Sequence, residues 1–174
     1  KSIINTVKNK DFILGKNVKK FEEKFSKLSN SKYAVGCATG TDALLLALKC
    51  LNLKKKHEVI IPGMSYISTG LCALLNNNKI IFADIDDETG LISLESIKKK
   101  LSKNTRVVIP VNLYGQKVDI KLLRKIVGKK VFIIEDSAQS HFSSICQDCE
   151  KSDHASCFKS EKNHKYADLS CYSF

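Results

Sequence analysis

A chain of 174 residues with 43% apolar side chains is long enough for one domain around a real core. Its formal charge of +11 rests on lysine, since Arg106 and Arg124 are the only arginines among the 29 basic residues. These lysines are spread along the chain, many at helical spacing beside Glu as in "KKFEEKFSK". That makes a solvated Lys-rich surface, or a field that draws in an anionic small molecule such as a nucleotide, rather than the concentrated Arg and aromatic patch of a nucleic-acid binder. No apolar run is long enough to cross a membrane. An odd number of cysteines, seven, and the lack of a leading secretory segment point to a reducing cytosol.

The chain starts inside a helix-like pattern, "SIINTVKN". "NVKKFEEKFSKLSN" sets Val18, Phe21, Phe25 and Leu28 on one helical face. "YAVGCA" reads as a short buried strand and "TDALLLALKCLNL" as a strongly apolar helix. "HEVIIP" is a strand, "YISTGLCALLNN" a helix and "KIIFADI" a strand. "SLESIKKKL" opens a helix at Ser93, with a weak capping-box partner in Ser96 and with Glu95 favouring the first turn. "RVVIPVNL" is a strand, "IKLLRKIV" a helix and "VFIIE" a strand. The strands are β-branched and apolar without alternation, as in strands covered on both faces. Alternation of such strands with helices predicts an α/β layer with a mainly parallel sheet.

Ligands of that architecture sit beyond the carboxyl ends of the strands. "TGTD", "PGMSY", "NLYGQ" and "EDSAQ" follow four of the predicted strands, so they converge on one edge. In "ATGTDALLLAL", Gly40 allows a tight turn and Thr41 and Asp42 open a helix, either as an ordinary cap or as a phosphate site. Tyr66 just past a strand is either a core tyrosine or a ring that stacks on a planar ligand. Asp136 after a buried strand is either a helix cap or a partner for a protonated pyridine nitrogen.

Taken in order, "DFILGKNVKKFEEKFSKL", "GTDALLLAL", "EVIIPGMSYIST", "VVIPVNLYGQKVDI", "IIEDSAQSH" and "DLSCYSF" resemble the DegT/DnrJ/EryC1/StrS family of pyridoxal phosphate-dependent aminotransferases. The resemblance covers roughly residues 3–141 and 166–174. It implies a fold type I large domain, incomplete at the C-terminus. On this reading residues 1–174 are part of the cofactor-binding domain, with a Cys-rich insert at about 143–165 and without the small C-terminal domain. It further implies pyridoxal 5'-phosphate as cofactor, a nucleotide-linked keto sugar as substrate, glutamate as amino donor, and a cytoplasmic homodimer without nucleic-acid or membrane partners. Position by position, Thr41 and Asp42 would offer amides to the cofactor phosphate, and Tyr66 would stack on the pyridine ring. Asp136 would pair with the pyridine nitrogen, Gln139 would approach the phenolic oxygen, and Ser173 would bind phosphate. The Schiff-base lysine is expected after Phe174, which leaves no catalytic residue in this chain and an inactive fragment. A histidine at the lysine's position would instead imply a sugar dehydratase of the same family, and neither residue a non-catalytic remnant that binds a ligand or a protein.

Several positions depart from the family pattern. Asn112-Leu113-Tyr114-Gly115 stands where His-Leu-Tyr-Gly is common, and Phe142 stands where a Gly usually follows the turn. The segment "SSICQDCEKSDHASCFKSEKNHKY" is longer than the family's loop. Its Cys146, Cys149, His154 and Cys157 form a C-x2-C-x4-H-x2-C spacing. The second half of that spacing is short for zinc, so a surface loop with incidental thiols is expected and no metal site is assigned. His57 is expected at the surface, and Asp84, Asp86 and Asp87 are expected as turn formers rather than metal ligands.

Overall fold

The computed structural model describes residues 2–9, 12–141, 143 and 166–174. The Cys146/Cys149/His154/Cys157 spacing lies outside the described residues. The chain divides into a small unit, residues 1–37, and a larger one, residues 38–174.

The small unit carries helix α1 (Ser2–Lys8) and helix α2 (Lys16–Leu28). Phe21 and Phe25 stack one turn apart at 5.5 Å, as i,i+4 spacing allows. Of the predicted apolar face, Phe25 is buried, whereas Phe21 and Leu28 are exposed. The predicted strand "YAVGCA" does not form. Residues 33–37 pair with no strand among the described residues, and Tyr33 and Val35 are exposed. A β-branched run becomes a strand only where a neighbouring edge takes up its N–H and C=O groups.

Among the described residues the large unit is built on five strands, β1 (Glu58–Pro62), β2 (Lys79–Ala83), β3 (Thr105–Val108), β4 (Phe132–Asp136) and β5 (Leu169–Cys171). All neighbouring pairs are parallel, in the order β2-β1-β3-β4-β5. The connecting helices are α3 (Gly40–Cys50), α4 (Ile67–Leu75), α5 (Leu94–Lys100) and α6 (Ile120–Val127). Strand β5 carries no strong apolar signal and was missed by pattern.

Two apolar layers enclose the sheet. Val59, Ile61, Val107, Ile109 and Ile134 meet Leu44 and Leu48 of α3 and Cys72 and Ala73 of α4. Ile60, Val108 and Ile133 meet Ile97 of α5 and Ile120, Leu123 and Val127 of α6. Successive residues of a strand thus feed opposite layers, which is why β1 is buried throughout. Each fully buried Ile or Leu contributes about 1.5–3 kcal/mol. The edge strand β2 is less covered than expected, with Lys79 and Phe82 exposed.

Helix starts follow local chemistry. Ser93 Oγ accepts from Ser96 N at 3.2 Å and Asp119 Oδ1 from Leu122 N at 2.8 Å. Ser96 does not close a capping box, because its hydroxyl accepts from Asp84 N instead. Asp86 Oδ1 takes both the amide and the hydroxyl of Thr89, which makes it the turn former expected of it. His57 is half-buried, its Nδ1 accepting from Lys54 N. No helix among the described residues is long and apolar enough to cross a membrane.

Candidate active site

Strand β1 passes the chain to β2 on one side, and β3 then lies on the other, so the order of connection reverses beside β1. Open parallel sheets bind ligands at the carboxyl edge near such a switch. Asp136, the last residue of β4, sits on that edge and is 6% exposed. By strand alternation it shares the α3/α4 face with Ile134. Its Oδ2 accepts from Thr69 Oγ1 of α4 at 3.3 Å and its Oδ1 from Ala138 N at 3.2 Å. Among the described residues no cation lies within ion-pair distance of it. Burial pushes its pKa above the ordinary aspartate value, against the pull of the Ala138 and Thr69 hydrogen bonds.

The start of α3 abuts the end of β5. Thr39 caps the helix, its Oγ1 accepting from Asp42 N at 3.0 Å. Asp42's amide is therefore engaged by the cap, while Thr41 lies in the first turn, where amides have no intrahelical acceptor. Gly40 is not needed for a turn conformation, as expected from sequence, but for proximity. A Cβ there would lie 2.9 Å from Ser173 Cβ and 3.1 Å from Ser173 Oγ. Thr41 and Ser173 are thus brought together around a glycine. Thr41 Oγ1 also meets Ser68 Oγ of α4 at 2.7 Å, and the next residue of α4, Thr69, reaches Asp136.

Tyr66 and Gln139 stand at the rim. Tyr66 is the N-cap residue of α4 and is 75% exposed, so it is not a core tyrosine. Gln139 is exposed and holds the turn Leu113–Gly115. Its Oε1 accepts from Tyr114 N at 2.9 Å, and its carbonyl accepts from Gly115 N at 3.1 Å. Tyr114 is held at φ +56, a conformation that costs a residue with a Cβ about 1–2 kcal/mol. Because the oxygen of the Gln139 amide faces an N–H, its NH2 end is left to donate.

The pattern reading missed a buried polar cluster directly behind the site. Glu135 is fully buried on the α5/α6 face and pairs with Lys117 Nζ at 3.1 Å, itself 2% exposed. Asn112 Nδ2 donates to Glu135 Oε1 at 2.7 Å and to Ser137 Oγ at 3.1 Å, and Ser170 Oγ donates to Glu135 Oε2 at 3.2 Å. Asn112 Oδ1 accepts from Val118 N. Burial, with the Glu135 charge beside it, also pushes the Tyr172 phenol well up. Nothing in the sequence marks Lys117 as different from the surface lysines. Thr69 and Ser65 were missed as well, although their i,i+4 spacing at the start of α4 was a readable signal.

A parallel sheet between two helical layers, with these groups on its carboxyl edge, is the large-domain architecture of fold type I enzymes. The chain belongs to the DegT/DnrJ/EryC1/StrS aminotransferase family, whose sequence model matches residues 1–174. It is 30% identical over 173 residues to a UDP-2-acetamido-2-deoxy-3-oxo-D-glucuronate aminotransferase of Pseudomonas aeruginosa, a match covering 99% of this chain and 45% of the relative. Among solved structures, an aminotransferase from Psychrobacter cryohalolentis superposes with a TM-score of 0.76 at 29% identity, covering 80% of this chain and 36% of that one. An Escherichia coli GDP-4-keto-6-deoxy-D-mannose-3-dehydratase with bound hydrated PLP superposes with a TM-score of 0.75 at 30% identity, covering 87% and 40%. The chain therefore spans less than half the length of the relatives it matches.

Proposed function

We propose that the intact protein is a pyridoxal phosphate-dependent aminotransferase that acts on a nucleotide-linked keto sugar, with glutamate as amino donor. The observation that carries this reading is Asp136, a buried carboxylate held by neutral donors with no cation beside it among the described residues. Such a group suits a cationic N–H, and burial strengthens that pairing. When bound, the cofactor supplies an electron sink that is strongest with its ring nitrogen protonated.

Asp136 would hold the proton on that nitrogen. Tyr66 would cover a face of the ring, and the Gln139 NH2 group would donate to the ring's phenolic oxygen. The first turn of α3 would take the phosphate together with Ser173, through the Thr41 amide, and through that of Asp42 only by exchange with its Thr39 cap. The Gly40–Ser173 approach leaves no side chain between them. On this reading the chain is part of the large domain, the cofactor-binding lysine lies outside residues 1–174, and this piece alone binds cofactor weakly and non-covalently at best, without turning over. A cytoplasmic homodimer completes the proposal. The likeness to the dehydratase favours a second reading within the family, decided by whether lysine or histidine occupies that later position.

The test uses the full-length protein. Asp136→Asn keeps the size and removes the charge. It should retain the cofactor's absorbance while amino transfer falls on the order of 10²-fold or more, as loss of a few kcal/mol at the transition state requires. Wild-type turnover in this variant would place the ring elsewhere.

A further inference from the structure

We propose that Thr69 is the positioning residue that keeps Asp136 charged in its buried setting, and that Ser65 holds Thr69 to that task. The consequence for catalysis rests on the reading of Asp136 given above; the effect on the carboxyl itself does not. A threonine hydroxyl has one proton. An ionised Asp136 only accepts, so Thr69 spends that proton on Asp136 Oδ2 at 3.3 Å. The 2.7 Å contact between Ser65 Oγ and Thr69 Oγ1 must then run from Ser65 to Thr69. The result is a directed chain, Ser65 to Thr69 to Asp136, in which the serine removes the hydroxyl's alternative orientation. The 3.3 Å separation is long for a hydroxyl on a carboxylate, and Oδ2 retains lone-pair capacity toward the carboxyl edge.

The surroundings leave this chain little competition. On α4, the Cys72 thiol is pushed up to about 11, first by burial and then by the charges of Asp136 and Asp42, so it stays neutral. Within β4 the neighbouring Glu135 faces the opposite layer and is paired with Lys117. Beyond β5 the Tyr172 phenol is pushed up and stays protonated. Among the described residues no neighbouring cation offsets burial, so there the Ala138 amide and the Thr69 hydroxyl are the donors that favour the charged form.

The experiment follows the Asp136 carboxyl by carbon-13 NMR in the cofactor-free full-length protein, its resonance assigned by its loss in Asp136→Asn. Thr69→Val keeps the shape and removes the hydroxyl. It should move the Asp136 titration to higher pH, while Thr69→Ser should restore it. Ser65→Ala, which leaves the Thr69 hydroxyl in place, should give a smaller upward shift. Titrations of Thr69→Val that overlay wild type, with the fold intact by circular dichroism, would overturn the proposal. Should the valine variant not fold, an unmoved titration in Ser65→Ala together with a moved one in Thr69→Ser would overturn it equally. Pyridoxal phosphate binding is measured in parallel. A shifted carboxyl with unchanged affinity would uphold the Thr69 role and refute the ring-binding reading of Asp136.

Discussion

Replacing Lys117 with methionine removes the charge that balances a fully buried Glu135 and keeps the length of the side chain. Glu135 and Lys117 are 0% and 2% exposed at the side chain, with 3.1 Å between Oε1 and Nζ. Breaking such a buried pair costs about 3–5 kcal/mol, mostly the cost of the charge left behind. Glu135 keeps the Asn112 and Ser170 hydrogen bonds, so the lower figure, about 3 kcal/mol, applies. That is a large share of the roughly 5–15 kcal/mol of a typical domain. Taking a urea dependence of about 2 kcal/mol per molar, the unfolding midpoint should fall by about 1.5 M. The loss should shrink in acid, because protonating Glu135 removes the charge that Lys117 balances. Lys117→Met combined with Glu135→Gln should recover at least half of it, since neither charge is then buried alone. A single-variant shift below about 0.3 M on the same urea scale, or a double variant no better than the single, would show that the pair does not hold this side of the site.

Gly40→Ala places a methyl group 2.9 Å from Ser173 Cβ. Overpacking of about 1–3 kcal/mol should outweigh the roughly 1 kcal/mol gained in helix propensity, so urea unfolding should show a net loss, and a net gain would refute the close approach. Asp136 gives a pH signature. Its folded pKa is raised by burial, so the stability it permits is complete below the unfolded aspartate value and is lost as pH rises through the folded one. Cofactor-free Asp136→Asn should therefore gain on wild type between acidic and neutral pH, and a difference flat with pH would count against the raised value.

The helices and central strands were legible because their apolar residues repeat at the spacing that the core enforces. "IKLLRKIV" matches α6 residue for residue, since Ile120, Leu123 and Val127 all enter one layer. "YAVGCA" misled because composition reports a preference for strand and not the presence of a neighbour to pair with. Strand β5 was hidden for the opposite reason. Its three residues, "LSC", carry little apolar signal, and pairing with β4 defines them. Within the candidate site, the strand-end position and the motif order singled out Asp136, Thr41 and Ser173 as candidates. Of the donors that hold Asp136, the Ala138 amide is local but Thr69 comes from α4, 67 residues earlier, and a linear pattern carries no such pairing.

The adjacent carboxylates Glu135 and Asp136 show what strand geometry adds to sequence. Side chains alternate across the sheet, so the two acids lie on opposite faces although they are neighbours in the chain. Glu135 meets Lys117, Asn112 and Ser170 and is satisfied within the fold. Asp136 meets a threonine hydroxyl and one amide, at the edge where parallel sheets bind ligands. The same burial that makes Glu135 a structural charge makes Asp136 a group with unused capacity for a cation. A one-residue slip of β4 would swap the faces: in one direction Asp136 takes the place beside Lys117, in the other Glu135 takes the place beside Thr69. The apolar pairs Ile133 and Ile134, which feed the two layers, resist that slip only weakly because both residues are isoleucine. The polar cluster is selective where they are not: Lys117 and Asn112 reach the side chain at position 135 and stabilise one register. The ion pair behind the sheet thus helps to fix which carboxylate faces the α3/α4 layer at the carboxyl edge.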